Sequence, residues 1–199
     1  MSYAIIGFGK IGQALAKAFA RHGVEVSVAT TRDPESFSAD AAAIGPTVIP
    51  RTLAEAVKAD TVFLAVRFEA HPDVAKALPN WSGKTVIDAM NLFPVPDALE
   101  GVPSSAVVAK AFPGAKFVKG FNHLIAATLA TDPVVEGGRR VVFLSSDDEG
   151  ATAPVAALAK RLGFASINLG KLNEGGALVH ARGQTWGPLI FQDLFKREQ

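Results

Sequence analysis

Tyr3-Ala4-Ile5-Ile6-Gly7-Phe8-Gly9-Lys10-Ile11-Gly12 decides the fold: a short apolar run enters a G-x-G-x-x-G turn, and a helix-like segment starts near Ile11. Strand, glycine turn and helix in that order are the fingerprint of a dinucleotide-binding βαβ unit. The first glycine permits the tight turn, the second lets backbone approach a pyrophosphate, and the third lets helix pack closely on strand. The helix start adds free N–H groups and the positive end of a dipole. Gly7, Phe8, Gly9, Lys10, Ile11 and Gly12 are therefore the candidate pyrophosphate cradle. Gln13-Ala14 follows Gly12 where a nucleotide-hydrolysing P-loop needs Lys-Ser/Thr, so that chemistry is excluded.

Outward from this motif the chain alternates. Ile11, Ala14, Leu15, Ala18 and Phe19 recur at helical spacing until His22-Gly23, a helix end. Residues 24–30 read as a second strand, and Asp33-Pro34-Glu35-Ser36 as a helix start with Asp33 as its cap. Strands are predicted at 47–49, 61–66, 85–89, 117–121, 140–144 and 165–169, with helices at 52–59, 72–78, 104–111 and 151–162. This is the pattern of an α/β, Rossmann-type, doubly wound and mostly parallel sheet, covered on both faces, with ligands bound beyond the carboxyl ends of its strands. Residues 1–172 form the nucleotide-binding domain in this reading. Residues 173–199 form a small C-terminal extension ending in a helix, packed on the core or on a partner subunit. Trp186, Phe191 and Phe195 in that tail are costly to expose, which predicts a homo-oligomer with a dimer favoured.

Charge is balanced, with 20 Lys and Arg against 19 Asp and Glu, so nothing marks a nucleic-acid footprint. The absence of cysteine removes disulfides, thiolate metal sites and cysteine nucleophiles together. No metal-ligand cluster, nucleophile elbow or zincin motif is present. No apolar run reaches the roughly 18 residues a membrane span needs, and the first strand follows Met1 directly, so the expected location is cytoplasmic. A tyrosine four residues before a lysine, the acid of short-chain carbonyl reductases, is missing, because the one tyrosine is Tyr3 in the first strand.

The end of the second strand chooses between nucleotides. NAD enzymes place Asp or Glu there for the adenosine ribose hydroxyls. This chain places Thr30, Thr31 and Arg32, two hydroxyls and a guanidinium that suit a ribose 2′-phosphate. The cofactor expected is NADP(H).

The sequence resembles the NADPH-dependent reductases of the deazaflavin coenzyme F-420 and their relatives. The resemblance rests on Ala4 to Gly12, Thr31-Arg32-Asp33-Pro34-Glu35-Ser36, Ala65-Val66, Val86-Ile87-Asp88-Ala89-Met90-Asn91, Val118-Lys119-Gly120-Phe121-Asn122 and Leu169-Gly170-Lys171-Leu172. It implies hydride exchange between NADP(H) and a flavin or deazaflavin co-substrate, with no dedicated side-chain acid. By position it puts Ala65, Val66 and Arg67 beside the nicotinamide, and Asn91, Asn122 and His123 along the reacting rings, with Asn122 and His123 on the substrate. The sequence departs from the family at Arg67-Phe68, where relatives often carry proline and an aromatic, and at Asp33, where many carry glycine. Two other readings stay open: reduction of a small carbonyl or imine compound, and a non-catalytic NADP(H)-binding sensor.

Overall fold

The computed structural model describes residues 1–93, 99, 102–182 and 185–197. β1 (Tyr3–Ile6) is buried along its whole length and turns through Gly7-Phe8-Gly9 into α1 (Lys10–Arg21). α1 is rich in alanine and buries Gly12, Ala14, Leu15, Ala18 and Phe19. It stops at His22, whose Nδ1 lies 3.1 Å from the Ala18 carbonyl, and at Gly23 in the left-handed conformation.

β2 (Val26–Ala29) leads to a 3-10 turn over Pro34–Phe37 and then α2 (Ser38–Ile44). Asp33 caps this turn as the sequence predicts, its Oδ1 accepting the Glu35 N–H at 2.9 Å. β3 (Val48–Pro50), α3 (Leu53–Ala56), β4 (Thr61–Leu64), α4 (His71–Ala75), β5 (Thr85–Asp88), α5 (Ser104–Lys110) and β6 (Lys116–Gly120) continue the alternation. α6 (Ala126–Leu129) and β7 (Val134–Val135) lead into β8 (Gly138–Ser145), the longest strand, followed by α7 (Thr152–Arg161) and β9 (Ala165–Asn168).

The strand order β3-β2-β1-β4-β5-β6 is parallel throughout, which is the doubly wound arrangement. β8 joins β6 antiparallel through its last residues, and β9 runs parallel to β8 on its other side. Successive residues of the central strands serve opposite faces. Ile5, Phe63, Ile87 and Val118 pack with α1, α2 and α7, while Ala4, Ile6, Val62 and Val86 pack with α3, α4 and α5. A run of aromatic contacts crosses the first face, from Tyr3 through Phe19, Phe63 and Phe121 to Phe164, with ring centroids 5.4–6.0 Å apart.

The tail corrects the sequence reading. Instead of a terminal helix, the described residues from 173 to 197 form a 3-10 turn over Gly175–Val179, the two-residue strands β10 (Ala181–Arg182) and β11 (Thr185–Trp186), and β12 (Phe195–Arg197). β12 pairs antiparallel with the start of β8, an edge that a helix could not satisfy. Gly187-Pro188 interrupts the apolar spacing that suggested a helix. The side chain of Trp186 lies outside the described part.

Candidate active site

The glycines of the opening turn divide into two kinds. A Cβ on Gly7 would stand 2.3 Å from the Ala65 carbonyl oxygen, and one on Gly12 would stand 1.9 Å from the Gly7 oxygen, so the fold itself requires both. Gly9 differs: its φ of −78° suits any residue, and nothing lies within 4 Å of where its Cβ would be. The protein gives no internal reason for glycine there. Gly9 is also the N-cap of α1 and supplies no side-chain cap, and the first turn of the helix carries no acid. Open space and uncapped N–H groups are what a bound pyrophosphate needs, so the residues fit a dinucleotide. Phe8 contributes backbone here, since its ring is buried against Phe37.

At the end of β2, the Thr30 hydroxyl accepts the Arg32 N–H at 2.9 Å and fixes the turn that carries both exposed side chains, Thr31 and Arg32. The Arg32 guanidinium lies 5.7 Å from the centre of the Phe37 ring, a cation–π contact that holds it near the strand end. The Asp33 carboxylate is engaged in its cap and does not claim that guanidinium.

Beyond the ends of β1, β4, β5 and β6 lies a cavity of about 450 Å³. Lys10, Ile11, Ala65, Val66, Arg67, Asn91 and Asn122 meet there, residues predicted separately from distant parts of the sequence. Ala89, Met90, Leu124, Ile125, Ala126 and Phe191 complete it. A second, more open cavity of about 570 Å³ shares Arg67 and Asn91 with the first and adds Phe68, Glu69, Asp73 and Phe93. A third concavity, about 1,040 Å³, lies away from the strand ends, between α7, β9 and β12, and none of the predicted residues lines it.

Asn91 and Asn122 form a reciprocal pair. Asn91 Nδ2 donates to the Asn122 carbonyl at 2.7 Å, and Asn122 Nδ2 donates to Asn91 Oδ1 at 3.0 Å and to the Val179 carbonyl at 2.8 Å. The ends of β5 and β6 are thereby tied to the tail. Asn122 Oδ1 is buried with no protein partner among the described residues, an acceptor still to be satisfied.

Beneath this pair sits a buried ion pair that the sequence reading passed over. Asp88 and Lys119 face each other across β5 and β6, with Lys119 Nζ 3.3 Å from Asp88 Oδ2. Lys119 Nζ also donates to the Met90 carbonyl, while Asp88 takes the Met90 N–H at 2.9 Å and the Ser105 hydroxyl at 2.6 Å. Burial pushes the Lys119 ammonium below its ordinary pKa, and Asp88 opposes that shift. The pair holds the Met90-Asn91 turn, which lines the cavity. Its signal was available: a lysine inside the apolar run 117–121, in register with an aspartate ending the neighbouring run.

His123, expected along the reacting rings, is not among the residues that line this cavity. It is fully buried, packs edge-on to Phe143 with centroids 4.7 Å apart, and has no hydrogen bond of good geometry at either ring nitrogen among the described residues. Burial lowers its pKa to about 4, against weaker opposing influences from the Val141 backbone and Asp193. It is neutral at physiological pH and supports the wall from behind. His71 is likewise drawn inward, its Nδ1 against the Phe68 carbonyl at the start of α4.

Comparison with known proteins agrees with this geometry. Residues 2–92 match the family model described as NADP oxidoreductase, coenzyme F420-dependent. A structure of a hypothetical protein from Sinorhizobium meliloti is 40% identical, covering 98% of this chain and 96% of that one, with a TM-score of 0.90. A candidate F420-dependent NADP-reductase from Arthrobacter sp. FB24 is 28% identical, covering 86% of each chain, with a TM-score of 0.69. The metalloreductase STEAP3 of Rattus norvegicus is 26% identical over 170 residues, 84% of this chain and 33% of that protein. The chain thus spans about a third of the length of the curated relatives it matches. No helix among the described residues is long and apolar enough to cross a membrane.

Proposed function

From the match of residues 2–92 to the family model described as NADP oxidoreductase, coenzyme F420-dependent, we propose that the chain moves a hydride between NADP(H) and a flavin or deazaflavin ring. The observation that carries the nucleotide part is Gly9, a glycine the fold does not need, at an uncapped helix start. Gly7 to Gly12 would hold the pyrophosphate through main-chain N–H groups, and Thr30, Thr31 and Arg32 the 2′-phosphate.

When bound, NADPH supplies the hydride: two electrons and a hydrogen nucleus pass from nicotinamide C4 to the acceptor ring, and a solvent proton completes the reduction. The chain's own contribution is position. Ile11, Ala65 and Val66 would keep water from the nicotinamide face, and Asn122 Oδ1 would accept from an N–H of the bound rings.

The molecule would act in the cytoplasm as a homodimer, for which Val134, Leu194 and Phe195 offer exposed apolar surface around β7 and β12. NADPH absorbance followed with FMN, FAD, riboflavin and a 5-deazaflavin tests the reading. Turnover with at least one is expected, and no oxidation above buffer with any of them rules it out. In the same assay Arg32→Ala should raise the NADPH KM ten- to a hundredfold, about 1–3 kcal/mol, and leave the NADH KM in place. Equal losses for both nucleotides would remove Arg32 from the phosphate site.

A further inference from the structure

The cavity beyond the strand ends is lined by two positive side chains and, among the described residues, by no carboxylate. One is Lys10, the first residue of α1; the other is Arg67, which follows Ala65 and Val66 where the chain leaves β4. Both are exposed. Among the described residues neither has an ion pair or a side-chain hydrogen bond.

Neither charge serves the fold. Lys10 adds a cation to the positive end of the α1 dipole, in a first turn that holds no acid to offset it. Arg67 is held by its main chain: its carbonyl accepts the Ala70 N–H at 3.0 Å at the start of the 3-10 turn over Phe68–Ala70, and its side chain takes no part in that cap. Arg67 also borders the second cavity, where Glu69 and Asp73 stand, and Asp73 has Lys76 Nζ 3.1 Å from its Oδ1.

A dinucleotide in the proposed pose brings an anion to one of these cations and not to the other. The pyrophosphate at the start of α1 would lie beside Lys10, and it is the same in both redox forms of the cofactor. Arg67 stands on the nicotinamide side, where the ring carries no negative charge. The oxidised nicotinamide is a cation and the dihydronicotinamide is neutral, so the group that the reaction changes is the one that faces an unpaired guanidinium.

Resting on the nucleotide pose proposed above, we infer that Arg67 is a specificity-determining residue that discriminates between the redox forms of the cofactor, its guanidinium repelling the nicotinamide cation of NADP+ and leaving NADPH unaffected. The site then loads the reduced nucleotide and sheds the oxidised one. When a hydride passes from nicotinamide C4 to the acceptor, a positive ring is left behind and the stacked acceptor gains one negative charge, which offsets the repulsion while both are bound. Once the acceptor has taken its proton from solvent and departed, the repulsion returns and drives NADP+ out. Arg67 thus favours product release and keeps product inhibition weak.

Calorimetric titration of the full-length wild type, Arg67→Gln and Arg67→Lys with NADPH and with NADP+ at low salt tests this. Wild type should bind NADP+ more weakly than NADPH. Arg67→Gln should bind NADP+ about three- to thirtyfold more tightly than wild type does, the effect of removing one unit charge several ångströms away at a partly screened surface. Its NADPH affinity should stay within about twofold, because the dihydronicotinamide carries no charge for Arg67 to act on. Arg67→Lys keeps the charge and should keep the wild-type ratio. A gain in affinity for one redox form is not something that damage to the fold could produce. An unchanged ratio in Arg67→Gln would overturn the inference. Equal losses for both forms would make Arg67 a phosphate ligand, and a raised acceptor KM at an unchanged ratio would assign it to the acceptor; each overturns it as well. In all three cases NADPH binding by the wild type leaves the nucleotide reading intact, whereas wild-type protein that binds neither form sinks both.

Discussion

On the β1–β4 side of the cleft, shape is set by main chain: Gly7 lies against the Ala65 carbonyl, Gly12 against Gly7, and Gly9 opens onto free space. On the β6 side it is set by side chains held in place by buried polar groups and strained backbone: Asn91 on Asn122, Lys119 on Asp88 and Met90, and Phe121 and Phe191 at positive φ. The first wall suits a ligand part shared across many proteins, since phosphates and a nicotinamide ask for N–H groups and close backbone. The second suits a ligand that varies between relatives, because side chains can be exchanged without rebuilding the sheet. On the proposed reading, the cofactor wall is therefore generic and the acceptor wall individual.

The largest effect should come from breaking the individual wall at its buried support. Lys119→Met leaves the Asp88 carboxylate buried without its counter-charge, and about 3–5 kcal/mol of unfolding free energy should be lost. Adding Asp88→Leu should return much of that loss, because two apolar groups carry no uncompensated charge. Urea unfolding of the two variants checks both signs. A loss under about 1 kcal/mol for Lys119→Met would mean that the pair is not what holds the Met90-Asn91 turn.

A smaller effect sharpens the comparison through pH. His123 behind the acceptor wall protonates near pH 4 in the folded protein against 6.5 for the free side chain. Between those values the unfolded chain binds the proton and the folded one does not, so stability is complete above pH 6.5 and drains away as pH falls. From pH 7.5 to 4.5 the loss from this group should be about 2–3 kcal/mol. His123→Leu should show an acid loss smaller by that amount in urea unfolding at the two pH values. Equal acid losses in variant and wild type would contradict the burial of a neutral ring.

The same division explains what the sequence disclosed. β1 to β6 are continuous apolar runs separated by helical spacing, so their order and the place of the cleft follow from periodicity. The glycine motif is local, and Asp33-Pro34 announces its own turn. The acceptor wall is assembled from residues far apart in the chain, and no local pattern marks the approach of residue 191 to residue 123. His123 was misplaced because following a strand end does not say which way a side chain points. The tail was misjudged because its apolar spacing fits a helix, while the open edge of β8 offered pairing that only an extended segment could take. The hairpin between β7 and β8 was legible in principle, since Glu136-Gly137 at φ of 50° and 74° is the two-residue turn that an x-Gly pair favours.

The smallest expected change in stability belongs to the generic wall, and it is the most discriminating. Gly9→Ala places a methyl group where no protein atom lies within 4 Å, on a backbone any residue adopts. The fold should lose nothing and gain up to about 1 kcal/mol from a less flexible unfolded chain. Nucleotide binding should weaken at least tenfold, because the methyl occupies the approach of the pyrophosphate to the N-terminus of α1. Gly12→Ala is the matched control: its methyl would collide with the Gly7 carbonyl, so it should lose stability and binding together. Calorimetric titration with NADPH and a thermal melt of each variant separate the two kinds of glycine. If Gly9→Ala keeps its affinity, the open space beside Gly9 serves no phosphate and the generic wall is only a turn. If it loses affinity at unchanged stability, the residue is there for the ligand alone.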